Sequence, residues 1–240
     1  ALKVSLTRLD LSGNNLGSQS CFDTMGDLLK ANGSLLILKL DGNGLGDEGV
    51  SSLAMTIRCS RTCKLTYLSL QENNVHTEGL VAVAAMLETN STITTLRLDH
   101  NDLDDDDVML ESRNEIGTTL KGAEALADAL LRNGTLTELT IERNRLSREA
   151  LGVIGEALLD SSCSQIRYLS CDRFRITEGI TALELRSKRL FDADAALLGG
   201  VLMRNDEVTS LDMMACGLIG DDAIRTLGEA LWRTQPPTKS

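Results

Sequence analysis

The sequence predicts an α/β solenoid, a right-handed horseshoe with short parallel strands on its concave face and helices on its convex face. Three observations predict it. The stretch Leu65–Val75 reads Leu-x-x-Leu-x-Leu-x-x-Asn-x-Val, and the template recurs at Leu6–Leu16, Leu35–Leu45, Ile93–Leu103 and Leu136–Leu146. With the middle Leu as marker, units fall at Leu9, Leu38, Leu68, Leu96, Leu139, Leu169, Leu183 and Leu211, and five of the seven spacings are 28 to 30 residues. Between most markers, apolar residues return at helical spacing.

The strand comes from alternation. Leu68 and Leu70 point to one face, and Asn73 stands where the chain must bend away, an amide able to bond backbone groups that the bend leaves unpaired. Helices follow from the i, i+3, i+4 pattern. Phe22, Met25, Leu28 and Leu29 share a face in 18–31; Val50, Leu53, Ala54 and Ile57 do so in 47–59, with Asp47 as the expected N-cap. Thr77 is placed to cap a helix carrying Leu80, Val83, Ala84 and Leu87. Further helices are expected over 120–132, 147–159, 192–204 and 220–233.

Two places break the period. Leu96 and Leu139 are 43 residues apart. Either the excess is a loop or Met109 marks a short extra unit, with Glu111 then sitting where an inward Leu belongs. Leu169 and Leu183 are only 14 apart, which leaves no room for a helix. One or two short helix-free repeats are therefore expected, with a local change of curvature. Phe174 and Lys188 stand in the Asn slot there.

A period of 20 to 30 residues on this template is the leucine-rich repeat signature. The long unit with a full outer helix resembles the ribonuclease-inhibitor-like class, through pieces such as Leu45-Gly46-Asp47-Glu48-Gly49-Val50 and Gly122-Ala123-Glu124-Ala125-Leu126-Ala127-Asp128-Ala129-Leu130. The resemblance covers nearly the whole chain, so residues 1–240 read as a single leucine-rich repeat domain of eight or nine repeats. Ala1 lies inside a repeat, which suggests a piece of a longer protein. The resemblance implies an intracellular setting.

Cysteine usage points the same way. Cys171 replaces an apolar strand residue and Cys216 occupies the Asn slot, so both read as buried free thiols suited to a reducing, cytoplasmic compartment. The formal net charge is −11, which disfavours phosphate backbones and anionic membranes. No apolar run is long enough to span a bilayer. A protein partner is expected, without nucleic acid, membrane or cofactor.

Three Asn-x-Ser/Thr sequons begin at Asn32, Asn90 and Asn133. Each Asn lies six residues before a marker Leu, as Asn205 does, so position explains them better than glycosylation. They read as helix stop signals in the left-handed conformation. The acidic run 102–107 lacks the alternation of a calcium loop and reads as a solvated excursion. His76 and His100 are isolated. Cys59 and Cys63 lack two further ligands for zinc.

Residues between the strand leucines should line the concave surface. One column holds Asp10, Lys39 and Arg97; the next holds Asp41, Asp99, Glu142 and Asp172; the column before the marker holds Tyr67 and Tyr168, the two tyrosines of the chain. Tyrosines are common binding anchors. These nine residues form the expected protein-binding face of a non-enzymatic scaffold, with basic patches of the partner facing the carboxylates. The resemblance also extends to Ran GTPase-activating proteins and NOD-like receptors, so a regulator of a small GTPase and a receptor sensor segment are the alternatives.

Overall fold

The computed structural model describes residues 5–104, 120–216 and 220–233. Five units alternate strand and helix: β1 (Arg8–Asp10), α1 (Gln19–Ala31), β2 (Ile37–Lys39), α2 (Gly46–Cys59), β3 (Tyr67–Ser69), α3 (Thr77–Leu87), β4 (Thr95–Arg97), α4 (Lys121–Arg132), β5 (Glu138–Thr140) and α5 (Arg148–Asp160). β6 (Tyr168–Ser170), β7 (Arg175–Ile176) and β8 (Ala182–Glu184) then follow with no helix between them. α6 (Asp192–Leu202), β9 (Ser210–Asp212) and α7 (Asp221–Arg233) close the order.

β1 to β6 form one parallel sheet in which the marker leucines Leu9, Leu38, Leu68, Leu96, Leu139 and Leu169 stand directly opposite one another. The helices pack against each other in chain order. Strands repeat at about 4.8 Å and packed helices at 8 to 10 Å, so the stack must curve with its strands inside. Leu38, Leu68, Leu96 and Leu139 are essentially inaccessible, and each such side chain contributes roughly 1.5 to 3 kcal/mol of transfer free energy.

Behind the sheet runs a ladder of asparagines. The Oδ1 of Asn43 accepts the Asn14 backbone N–H at 2.9 Å, Asn73 serves Asn43 at 3.1 Å, and Asn101 serves Asn73 at 2.9 Å. Their amides donate back to strand-end carbonyls: Asn43 Nδ2 reaches Leu11 at 3.0 Å and Leu40 at 2.8 Å. The Asn slot therefore satisfies the bend of its own unit and of the one before it. In the last unit Cys216 takes over half of this task, its Sγ donating to the Leu185 carbonyl at 3.0 Å.

Several local expectations change. Asn32 and Asn133 have extended backbones (φ −101° and −80°), not left-handed ones. Their Oδ1 atoms instead accept the N–H groups two and three residues on: Ser34 and Leu35, and Thr135 and Leu136. Asn90 and Asn205 do the same. Each thus organises the turn into the next strand. Left-handed residues lie after the strands, at Gly42, Glu72, His100 and Arg143. Asp47 lies in the first turn of α2, whose N-cap is Leu45, and its Oδ1 accepts the N–H of His76, the N-cap of α3, at 2.7 Å. Thr77 is the first residue of α3.

At the long spacing, β4 pairs directly with β5, so no other strand separates them in the sheet. Met109 and Glu111 lie outside the described residues. Of the acidic run, Asp102 pairs with Arg145 at 3.2 Å and Asp104 accepts the Ser147 N–H at 2.7 Å; these two carboxylates tie into the next unit and are not a solvated excursion.

The short unit is helix-free, but its strand does not continue the stack. β7 folds back antiparallel on β6, with Leu169 opposite Ile176, and among the described residues β8 pairs only with β9. Buried Phe174 fills the space where an Asn would stand. The helix layer bridges the break: a Cβ on Gly155 would lie 2.7 Å from the Leu197 nitrogen, and one on Gly200 2.5 Å from the Leu158 Cβ. Glycines let α5 and α6 approach closely.

Candidate protein-binding surface

The strand register sets the surface. Because β1 to β6 align residue for residue, Arg8, Ile37, Tyr67, Thr95, Glu138 and Tyr168 form one column, and Asp10, Lys39, Ser69, Arg97, Thr140 and Ser170 the next. Both columns follow the sequence pattern as far as β6; Ala182 and Ser210, and Glu184 and Asp212, which the pattern places in the same columns, pair instead in a separate two-stranded sheet.

Tyr67 is the centre of the best-formed cluster. Its half-buried ring has Lys39 Nζ 5.8 Å from the centroid on one neighbouring strand and Arg97 Cζ at 5.6 Å on the other. Cations over an aromatic face are attracted by the ring quadrupole. Burial raises the Tyr67 pKa, with the Arg97 charge opposing it. Arg97 Nη2 also pairs with Glu138 Oε1 at 3.0 Å, while its Nε is buried without a partner among the described residues.

The carboxylates divide into two kinds. Asp41 and Asp99 are turned along the sheet: Asp41 Oδ1 accepts the Ser69 hydroxyl and the Gln71 N–H, and Asp99 accepts the Thr140 hydroxyl and, at 2.8 Å, the Glu142 N–H. They join neighbouring strands as well as carrying charge. Asp10 is exposed, and its carboxylate accepts the Ser12 hydroxyl at 2.8 Å and the Ser12 N–H, which lower its pKa. Asp172 is exposed and accepts the Arg143 N–H.

The far end of the face is differently built. Arg175 of β7 grips Glu142 with two bonds, Nε at 2.7 Å and Nη2 at 2.6 Å. Tyr168 donates its hydroxyl to Glu207 Oε1 at 2.9 Å, and Glu207 Oε2 accepts the Gly179 N–H at 2.7 Å. That bond raises the Tyr168 pKa. Tyr168 and Glu142 are thus already engaged inside the chain, three and two strands from Tyr67. Between them lies a polar groove of 300 Å³ bounded by Arg97, Asp99, Glu138, Glu142 and Arg175. No periodicity marks Arg175, which belongs to the unit that breaks the period, or Glu207, which lies in the turn before β9 and outside the strand columns.

Along the rim after the strands, a second hollow of 460 Å³ is bordered by Asn74, His76, His100, Asp102, Arg143 and Arg145. Among the described residues, no group of three or more His, Cys, Asp or Glu could hold a metal ion, and no helix is long and apolar enough to cross a membrane. Cys171 and Cys216 are buried and free.

The sequence profile of the family described as Leucine Rich repeat matches residues 3–21, 31–54, 62–84 and 89–110. Over 239 residues the chain is 29% identical to the ribonuclease inhibitor of Sus scrofa, covering 94% of this chain and 48% of that protein. It is 27% identical over 243 residues to NACHT, LRR and PYD domains-containing protein 5 of Homo sapiens, covering 89% of this chain and 20% of that one. Among solved structures, the tropomodulin C-terminal domain of Caenorhabditis elegans matches with a TM-score of 0.47 and 12% identity, over 89% of this chain and 92% of that one. The chain spans about half of the ribonuclease inhibitor's length and about a fifth of the NACHT protein's. With its repeat template, its strand register, the matched repeat profile and its likeness to the ribonuclease inhibitor, the chain is a leucine-rich repeat protein of the ribonuclease-inhibitor-like type.

Proposed function

We propose that the face formed by β1 to β6 binds a protein partner, and that the chain acts as a binding module and not as an enzyme. The observation that carries this is the unbroken register of β1 to β4, which sets Lys39 and Arg97 on either side of the half-exposed ring of Tyr67. Asp10, Asp41, Asp99 and Asp172 have no cation within ion-pair distance among the described residues. They favour a partner that presents basic side chains, which would speed its encounter. The ribonuclease inhibitor, by its name, acts on a protein, and that relative supports the reading. Free buried thiols support a cytoplasmic setting.

A second reading is supported by the match to the NACHT protein: the stretch is the sensor segment of a larger receptor, and the same face reads the ligand.

Affinity capture with mass spectrometry identifies the partner, and variants locate the contact. Tyr67→Ala combined with Asp10→Lys should weaken the captured complex by roughly thirtyfold or more, as loss of a central aromatic anchor does. Arg58→Glu, on the outer helix α2, should not. Unchanged binding by the first variant, or equal loss by the second, rules out the inner face.

A further inference from the structure

The rim where the sheet breaks carries a cation cluster that the binding face does not use. Arg148 opens α5, Arg173 lies in the short unit, and Phe191 is the N-cap of α6. The Arg148 guanidinium carbon stands 3.5 Å from the Phe191 ring centroid and that of Arg173 stands 5.7 Å from it. Lys188 Nζ donates to the Arg173 carbonyl at 2.7 Å, which brings a third cation to the same place. Arg148 and Lys188 are exposed, and Arg173 is partly so.

In this acidic chain, the three cations are unpaired. Among the described residues no ion pair reaches any of them. Two like charges held beside one ring repel each other, and the stacking on Phe191 offsets part of that cost. Asp194 lies buried nearby, its Oδ2 accepting the Phe191 N–H at 2.8 Å and its Oδ1 unpartnered among the described residues. Burial raises its pKa, and the Arg148 and Arg173 charges oppose that rise. It fixes the backbone of Phe191 and is too enclosed to meet a ligand.

We propose that Arg148 and Arg173, held beside the Phe191 ring, and Lys188, tied to the Arg173 backbone, form a docking site for a short acidic peptide segment of a protein partner. A guanidinium stacked flat keeps its N–H edge free for the two-pronged bond that a carboxylate or phosphate group accepts. Glu149, Asp172 and Asp192 flank the cluster as exposed carboxylates. They would repel a long polyanion such as nucleic acid but leave room for a few acidic residues. The site meets the inner face only at its far end, where Asp172 precedes Arg173, and does not involve Tyr67.

The test uses fluorescence anisotropy with a labelled octaglutamate peptide, the matching peptide with two phosphoserines, and a thymidine dodecamer. Saturable binding of at least one peptide, weakening as salt rises, is expected. Arg148→Glu or Arg173→Glu should weaken it tenfold or more, Phe191→Leu by a few-fold, and Arg58→Glu or Tyr67→Ala by less than twofold. Circular dichroism confirms that each variant is folded, and Arg148→Gln serves if the reversal unfolds the chain. The relative strength of the two peptides identifies carboxylate or phosphate as the preferred group. Absence of saturable peptide binding, tighter binding of the oligonucleotide, or equal loss in Arg58→Glu or Tyr67→Ala overturns the proposal.

Discussion

The side chain of Asn144 accepts the backbone N–H of Asn101 at 2.9 Å, across 43 residues of chain. The same bond elsewhere spans 28 to 30 residues. Unit length can therefore vary without disturbing the ladder, because the bond fixes the end of each strand and not the path between strands.

Asn101→Ala should be costly. Its Oδ1 serves the N–H groups of Asn73 and Val75, and its Nδ2 serves the carbonyls of Leu70 and Leu98. Stranding these buried groups should cost on the order of 3 kcal/mol, measured by urea unfolding. Asn14, exposed at the first unit, accepts none of the ladder's bonds, so Asn14→Ala should cost less than about 1 kcal/mol. Equal losses would show that neither the ladder's bonds nor burial of the slot sets the energy.

The ladder was legible because one residue type had to recur at one offset from the marker Leu. The concave columns were legible for the same reason. Features that occur once were not. Asn32, Asn90, Asn133 and Asn205 were visible as a position, but a side chain accepting two N–H groups and a left-handed helix stop look alike in a sequence. The short gap after Leu169 announced a missing helix but not the reversal of β7, since a two-residue strand carries no direction in its pattern. Tyr168 fell in the right column, yet its tie to Glu207 crosses 39 residues and has no periodic trace.

Glycine substitutions should separate close packing from helix propensity. Gly200 faces Leu158, with 2.5 Å available where a Cβ would go. Gly200→Ala should therefore force α5 and α6 apart and cost about 1 to 3 kcal/mol. Gly228 in α7 has nothing within 4 Å of its Cβ position. Gly228→Ala should stabilise the chain by about 0.5 to 1 kcal/mol, because Gly is the poorer helix former. Thermal melts of the two variants should move in opposite directions, and a shared direction would contradict the close approach.

Thiol reactivity should follow burial. Cys59 is exposed, whereas Cys171 is buried and desolvation pushes its pKa up to about 11. Iodoacetamide at pH 8, read by mass spectrometry, should label Cys59 quickly and Cys171 only after denaturant is added, since the thiolate is the nucleophile. The raised pKa also carries a stability consequence. From pH 9.0 to about 11 the unfolded thiol loses its proton while the folded one keeps it, so stability falls as pH rises through that window. Cys171→Ala should flatten this part of the slope; an unchanged slope would mean that Cys171 ionises as freely in the folded chain as in the unfolded one.

Arg204 joins the two sides of the sheet break. Its Nε donates to the Ser164 carbonyl at 2.8 Å, its Nη1 to Leu158 at 2.9 Å and to Gly200 at 2.6 Å, and its Nη2 to Ser161. The Leu158 carbonyl belongs to the last turn of α5, where carbonyls lack helical partners and a cation is favoured. One guanidinium thus closes the end of α5 and fastens it to α6, where no strand pairing spans the gap. Arg204→Met keeps most of the stem packing and removes the donors, and should cost on the order of 3 kcal/mol. Arg204→Lys restores the charge but not the fork, so it should recover less than half of that loss. Hydrogen exchange should speed up mainly at the end of α5 and in α6 for the Met variant. Full rescue by Lys would mean that charge at the helix end, and not the shape of the donor, holds the two halves together.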